Sequence, residues 1–327
     1  MGRKRQSRRD LPERVYQKHG AYYFVDADNK WQKVGKTVSE VYRWYADMVH
    51  DDIQINTMSQ IMDRYLGEVL PEKAPSTVRN EERAVKRLRE VFGDTKPGDI
   101  RPVDIYKYQD TRARKNTKAE SNNERRTLSN LFACAVKWGL TDKNPVREVK
   151  TLRLKTRDRY ITDEEFKQLY EKARPKMKCI MDVAYLTALR KGDILKIKLS
   201  DLQDGVLQVV TEKTKKKQSF VVEGVLAEAI ARAKALRRNV LSTFLFSDRT
   251  GKQMDKNNFA NMFDTLKKKC NLADVHFHDI RAKSLTDADR QGLNAQLMAG
   301  HKNRAMTDRY IKDRQGDRVT PLNRIPI

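Results

Sequence analysis

The pattern of apolar and polar positions divides the chain into three segments. In residues 14–36, three short runs (14–18, 21–26 and 31–36) are rich in β-formers, and Gly20 and Asp28-Asn29 supply turn chemistry between them. Thr37-Val38-Ser39-Glu40 has the spacing of a capping box, and Val38, Val41, Tyr42, Tyr45, Met48 and Val49 follow at helical spacing. The expectation is a small three-stranded sheet backed by one helix.

Residues 57–150 carry a helical pattern throughout. Met58, Ile61, Met62, Tyr65, Leu66 and Val69 form one amphipathic run stopped by Pro71, and Val78, Ala84, Val85, Leu88, Val91 and Phe92 form a second stopped at Gly93. Pro102 opens a third helix. Ser121 and Glu124 have capping-box spacing for a fourth, which carries Leu128, Leu131, Phe132, Ala135 and Val136. A four-helix unit is predicted.

Residues 151–158, with Arg153, Lys155 and Arg157 alternating, read as a linker before Thr162-x-x-Glu165 caps the next helix. Beyond it the pattern is mixed. Residues 177–189 are apolar on nearly every face, as in a buried helix; residues 206–210 and 219–222 flank a lysine-rich turn, as in a hairpin; several helices follow. The fold class expected is α+β, with most of the strands short and most of the chain helical.

Charge narrows the function. Lys and Arg number 68 against 44 Asp and Glu, a formal net charge of +24, and the excess grows along the chain: +3 over residues 1–56, +6 over 57–150 and +15 over 151–327. A polyanion is the partner this implies. Arg3, Lys4, Arg5, Arg8 and Arg9 open the chain with no apolar stretch behind them, which excludes a secretory signal, and no window approaches the ~18 apolar residues of a membrane span. This basic arm reads either as a solvated tail or localisation signal, or as a groove-binding element beside the sheet. Arg112, Arg114, Lys115 and Lys118 cluster between the third and fourth predicted helices, as a solvated face or as a grip on a nucleic-acid backbone. Cys134, Cys179 and Cys270 are far apart and in no CxxC pair, which argues against disulfides and thiolate zinc and fits a reducing cytoplasm.

Several chemistries fail on spacing. Gly35-Lys36-Thr37 lacks the glycine five positions earlier that a phosphate-binding loop needs, since that position is Lys30. His276 and His278 have no HxxxH pair or nearby cysteine to complete a metal site. Asp51-Asp52 and Asp163-Glu164-Glu165 lie near predicted helix ends, where capping explains them. Neither a metal nor a cofactor is expected. What is left is an ordered series of basic and hydroxyl side chains: Arg190 directly after the buried helix, His278 and Arg281 three apart on one helix face, His301 after Gly300, and Tyr310 nine residues later. Each alone has an ordinary structural explanation.

In order and approximate spacing, Arg190, the lysine hairpin, His278-x-x-Arg281, Ala299-Gly300-His301 and Tyr310 resemble the tyrosine recombinases of the phage integrase family. Leu245-Phe246-Ser247 and Met306-Thr307 match supporting phrases of that family, and the opening Gly2-Arg3-Lys4-Arg5 and Arg8-Arg9-Asp10-Leu11-Pro12 resemble the start of its lambda-type members. The resemblance implies three domains, arm-type DNA-binding (1–55), helical core-type DNA-binding (56–152) and catalytic (153–327).

It also implies site-specific recombination of double-stranded DNA through a 3′-phosphotyrosine. Tyr310 would be the nucleophile, and since a phenol with its ordinary pKa of about 10 needs a proton acceptor or a strongly electropositive site, His278 would be the candidate acceptor. Arg190 and Arg281 would neutralise the pentavalent phosphate, with a hydrogen bond from His301. Lys213 would protonate the leaving 5′-oxygen, and Asp193 would orient the site. The family often has glycine where this chain has Ala188 and glutamate where it has Asp193, and Lys215, Lys216 and Lys217 compete with Lys213, whose choice rests on the following Thr214.

The same resemblance implies a homotetramer on DNA, a host DNA-bending protein and a directionality factor as partners, and the nucleoid of a bacterial host as location. The tail 311–327, with Val319, Leu322, Ile325 and Ile327, would dock on a neighbouring subunit, or else on its own domain. A related recombinase for resolution or transposition, and a non-catalytic DNA-binding regulator, are the alternative readings.

Overall fold

The computed structural model describes residues 11–52, 55–155, 157, 159–237 and 242–311. Arg3, Lys4, Arg5, Arg8 and Arg9, and the tail beyond Ile311, lie outside the described residues. The fold is α+β, in two compact units, residues 1–156 and 157–327.

The first unit opens with β1 (Val15–Lys18), β2 (Ala21–Val25) and β3 (Trp31–Gly35), an antiparallel sheet in the order β1-β2-β3. The reversals use left-handed backbone at His19-Gly20 and Asn29, the positions whose residue types tolerate it. Alternation then sorts the faces: Val15 and Tyr22 are buried with Leu11 and Val41, while Tyr16 and Trp31 stand on the exposed face with rings 5.8 Å apart. Helix α1 (Val38–Asp52) packs against α2 (Met58–Arg64), so the sheet and the helical bundle share one unit.

The first amphipathic run is not a single α-helix. After α2 the chain widens into a π-turn, Tyr65–Val69, and a 3₁₀ turn, Leu70–Glu72, which holds Pro71 and ends the run. Helices α3 (Pro75–Phe92), α4 (Pro102–Arg114) and α5 (Lys118–Lys137) complete the bundle around Met62, Leu88, Ile105, Leu128 and Phe132. The expected capping box at Ser121 and Glu124 lies inside α5, which begins three residues earlier. Both side chains are buried. Glu124 accepts from Tyr108 Oη at 2.7 Å and takes both arms of Arg112 at 2.9 and 2.7 Å, so its spacing served a tertiary ion pair rather than a helix start.

In the second unit, Thr162 and Glu165 cap α6 (Asp163–Lys172) reciprocally, as expected. The buried helix is α7 (Pro175–Thr187), which packs against later helices on two sides. A short α8 (Lys191–Ile194) leads to β4 (Leu202–Gln203), β5 (Val206–Val210) and β6 (Lys217–Val221), an antiparallel sheet in that order; β4 adds a strand to the expected hairpin. Then come α9 (Gly224–Ala235), α10 (Lys256–Lys269), α11 (Phe277–Arg290), α12 (Ala295–Ala299) and α13 (Arg304–Asp308). The core joins α7, α9, α10 and α11 through residues such as Ile180, Ile230, Phe259 and Ile280, and Leu245 and Phe246 belong to it.

Candidate active site

Helix α11 is the platform of the site. Its first turn is fixed by Asp279, which accepts the His276 N–H at 2.8 Å and takes both arms of Arg157 at 2.8 Å. That turn presents His278, and Arg281 lies one turn on along the same face. In the third turn, Thr286 Oγ1 donates to the Tyr310 carbonyl at 3.2 Å, holding the segment after α13 against the platform. His278 Nε2 comes within 3.2 Å of Tyr310 Oη. The Tyr310 ring stacks on His301, centroids 5.4 Å apart, with the Arg281 guanidinium 5.5 Å from its centre.

Arg281 is only 2% exposed, and its partners are not carboxylates. Nη1 donates to the Ala188 carbonyl, Nη2 donates to the Ala299 carbonyl at 2.8 Å and meets His301 Nε2 at 3.2 Å, and Nε is buried with no partner. Ala188 can offer its carbonyl because α7 ends there in left-handed backbone, φ 50°. Glycine would take that conformation more cheaply, by ~1 kcal/mol. The same reversal delivers Arg190 to the start of α8. Burial, then the like charge of Arg190, pushes the Arg281 pKa down to about 10. A guanidinium so disfavoured is one prepared for an anion.

The histidines feel the same field. His278 keeps an exposed edge, but partial burial holds its pKa below the ordinary value, helped by Arg281, Arg190 and Lys213. Burial drives His301 down to about 4, with Arg281, Arg190 and Lys216 adding to it. Both rings are therefore neutral at pH 7.

The lysine hairpin is anchored from below. Asp193, 4% exposed, accepts the Glu212 N–H at 2.8 Å through Oδ1 and leaves Oδ2 buried without a partner. Lys213 is the exposed next residue, and its charge reaches His278, whereas Lys216 is half-buried and acts on His301.

Two residues escaped the sequence reading. Gln218 on β6 donates to the Leu297 and Met298 carbonyls at 3.3 and 3.0 Å, tying the hairpin to the end of α12. A side chain on Gly300, where φ is 66°, would collide with Gln218. The signal was a polar residue at an inward position of an alternating strand. Thr307, fully buried, lies 3.0 Å from His301 Nδ1; it was noted only within Met306-Thr307.

In the first unit, Arg114, Lys115 and Lys118 are exposed at the α4–α5 junction, but Arg112 is committed to Glu124 and only 18% exposed. Arg87, Arg101 and Lys107 join Lys115 around an open cleft of about 700 Å³ on α3 and α4. Among the described residues, no cluster of His, Cys, Asp or Glu could hold a metal ion, and no helix is long and apolar enough to cross a membrane.

A phenol held against a neutral imidazole beside a buried guanidinium with no carboxylate on it is an arrangement suited to attack on a phosphodiester. Residues 159–316, just under half of the chain, match the phage integrase family, and the site they carry is of the kind a tyrosine recombinase uses. Over 295 residues the chain is 29% identical to the integrase of Enterobacteria phage P21, covering 80% of this chain and 76% of that one. Its fold matches a lambda integrase dimer bound to a COC′ core site, with a TM-score of 0.71, 22% identity, and coverage of 98% of this chain and 100% of that one. It also matches a lambda integrase tetramer bound to a Holliday junction, with a TM-score of 0.68, 21% identity, and coverage of 90% and 97%.

Proposed function

We propose that this protein is a tyrosine recombinase, an integrase that cuts and rejoins duplex DNA at attachment sites, integrating and excising a mobile element. The observation that carries the reading is the 3.2 Å approach of His278 Nε2 to Tyr310 Oη beside the buried Arg281. Tyr310 Oη attacks the scissile phosphorus, and its proton passes to His278. Arg190 and Arg281 stabilise the charge gathering on the non-bridging oxygens, which is usually the largest catalytic contribution, and His301 adds a hydrogen bond. As the P–O5′ bond breaks, Lys213 protonates the leaving oxygen. The products are a 3′-phosphotyrosine and a 5′-hydroxyl, and attack by a 5′-hydroxyl from a partner strand reverses each step. The ester exchange conserves the phosphodiester, so it needs no added energy source. Asp193 acts at one remove by fixing the hairpin backbone at Glu212.

Residues 1–55 would bind arm-type sites, with Arg3, Lys4, Arg5, Arg8 and Arg9 on phosphates. Residues 56–152 would hold core sites through Arg114, Lys115 and Lys118, and 153–327 would perform the chemistry. The likeness to a tetramer on a Holliday junction supports four copies acting on two paired sites, with the tail beyond Ile311 coupling neighbours. A host DNA-bending protein, a directionality factor and action at the nucleoid of a bacterial cytoplasm complete the reading. The test is a nicked suicide duplex spanning the attachment junction: the wild-type chain forms a covalent adduct, and Tyr310→Phe binds the same DNA and forms none. An adduct persisting in Tyr310→Phe overturns the assignment and favours another nucleophile. No adduct with wild type favours a non-catalytic DNA-binding regulator.

A further inference from the structure

His301 has both ring nitrogens engaged, and the two partners differ in kind. At Nε2 stands Arg281 Nη2, 3.2 Å away, and a guanidinium can only donate. At Nδ1 stands the Thr307 hydroxyl, 3.0 Å away, which can donate or accept. The ring is neutral, so it carries one proton. Facing a donor-only group, Nε2 must offer its lone pair, and the proton sits on Nδ1, donated to Thr307. In this arrangement His301 has no hydrogen for a phosphate, although a role as donor to the non-bridging oxygens requires one on Nε2.

We propose that Thr307 is a positioning residue that lets His301 change tautomer when the scissile phosphate enters. The inference rests on the recombinase reading above. Once an anionic oxygen takes the Arg281 hydrogen now shared with His301, Nε2 loses its donor and faces an acceptor instead. One proton leaves Nδ1 and one arrives at Nε2, exchanged through water with no net change in charge. Thr307 reverses from acceptor to donor by rotating its hydroxyl. No side chain limited to one hydrogen-bonding sense serves both states. Thr307 is suited to the task by position as well as chemistry: its carbonyl accepts the Tyr310 N–H at 2.8 Å, so the residue that steers the histidine also holds the backbone of the nucleophile.

The direct test is ¹⁵N NMR of the full chain labelled at histidine, with His301 assigned by its disappearance in His301→Gln. Spectra are compared for the free protein and for the Tyr310→Phe chain saturated with duplex DNA spanning the attachment junction. The expected result is Nδ1 protonation in the free chain and Nε2 protonation on DNA. The same tautomer in both states overturns the proposal. In parallel, Thr307→Val, nearly equal in shape, should slow adduct formation on the suicide duplex about tenfold or more at unchanged DNA affinity. Thr307→Ser should restore most of the rate. A Thr307→Val chain as fast as wild type, or a Thr307→Ser chain as slow as Thr307→Val, also overturns it. Should Thr307→Val fail to fold, the NMR comparison decides alone. If wild type forms the adduct while the His301 tautomer stays fixed, only this inference fails; if wild type forms no adduct, the recombinase reading fails first.

Discussion

Two arginines, one in each unit, are buried on opposite terms. In the helical unit Arg89, 8% exposed at its side chain, meets Asp63 at 2.5 Å, and Arg112 forks onto Glu124. In the catalytic unit Arg281 is at least as buried and meets two carbonyls, a neutral histidine and the Tyr310 ring, with no carboxylate hydrogen-bonded to it among the described residues. The contrast persists along one helix: Lys283, two residues beyond Arg281 and equally buried, has Asp287 at 3.0 Å and also pairs with Asp163. Taking a cation out of water costs several kcal/mol unless a counter-charge is supplied. Where the fold supplies it, the cation is structural. At Arg281 the fold withholds it, which is what the proposed role on the substrate phosphate calls for.

The largest expected effect breaks this comparison at Arg281. Arg281→Ala should slow adduct formation by a factor on the order of 10²–10³, while chemical denaturation shows the catalytic unit no less stable than wild type. A marked loss of stability would make Arg281 structural after all. The converse substitution, Asp63→Ala, strands Arg89 and should destabilise the helical unit by about 3–5 kcal/mol, leaving cleavage by the folded fraction intact.

A pH titration extends the comparison to His301. Its pKa of about 4 in the folded chain lies below the ordinary value, so the unfolded chain takes up the proton first. The stability it contributes is complete above pH ~6.5 and is lost as pH falls toward 4, by at most on the order of 3 kcal/mol. Denaturation midpoints measured between those limits should fall less steeply in His301→Gln.

Smaller effects sharpen the distinction among the surface cations. Lys115→Ala should lower the slope of log affinity against log salt by about 1, as for one lost phosphate contact, whereas Arg112→Ala should cost stability and leave that slope unchanged. The smallest effect is expected from Ala188→Gly, which relieves left-handed strain and removes a buried methyl. These oppose each other, so the net change in denaturation should stay under about 1 kcal/mol.

Much of the architecture was legible because it rests on local chemistry. The turn residues at Gly20 and Asn29, the cap at Thr162 and Glu165, and the apolar stretch that became α7 act over a few residues, and periodicity reports them directly. The reading failed where a distant partner claimed a residue. Ser121-x-x-Glu124 has cap spacing, yet Glu124 answers to Arg112; the Met58–Val69 pattern is helical, yet it changes to a π-turn at Tyr65, whose hydroxyl donates to Glu81 at 2.6 Å.

The order of Arg190, Lys213, His278, Arg281, His301 and Tyr310 along the chain, and with it the kind of chemistry available, was set by the sequence alone, because side-chain type determines which groups can donate, accept or carry charge. Only the tertiary structure decided which of the described basic residues are buried away from a carboxylate and which histidine meets the tyrosine. Those are properties of distance and burial. A charge costs nothing unusual until the fold removes water from it, and that removal depends on elements brought together from across the catalytic unit.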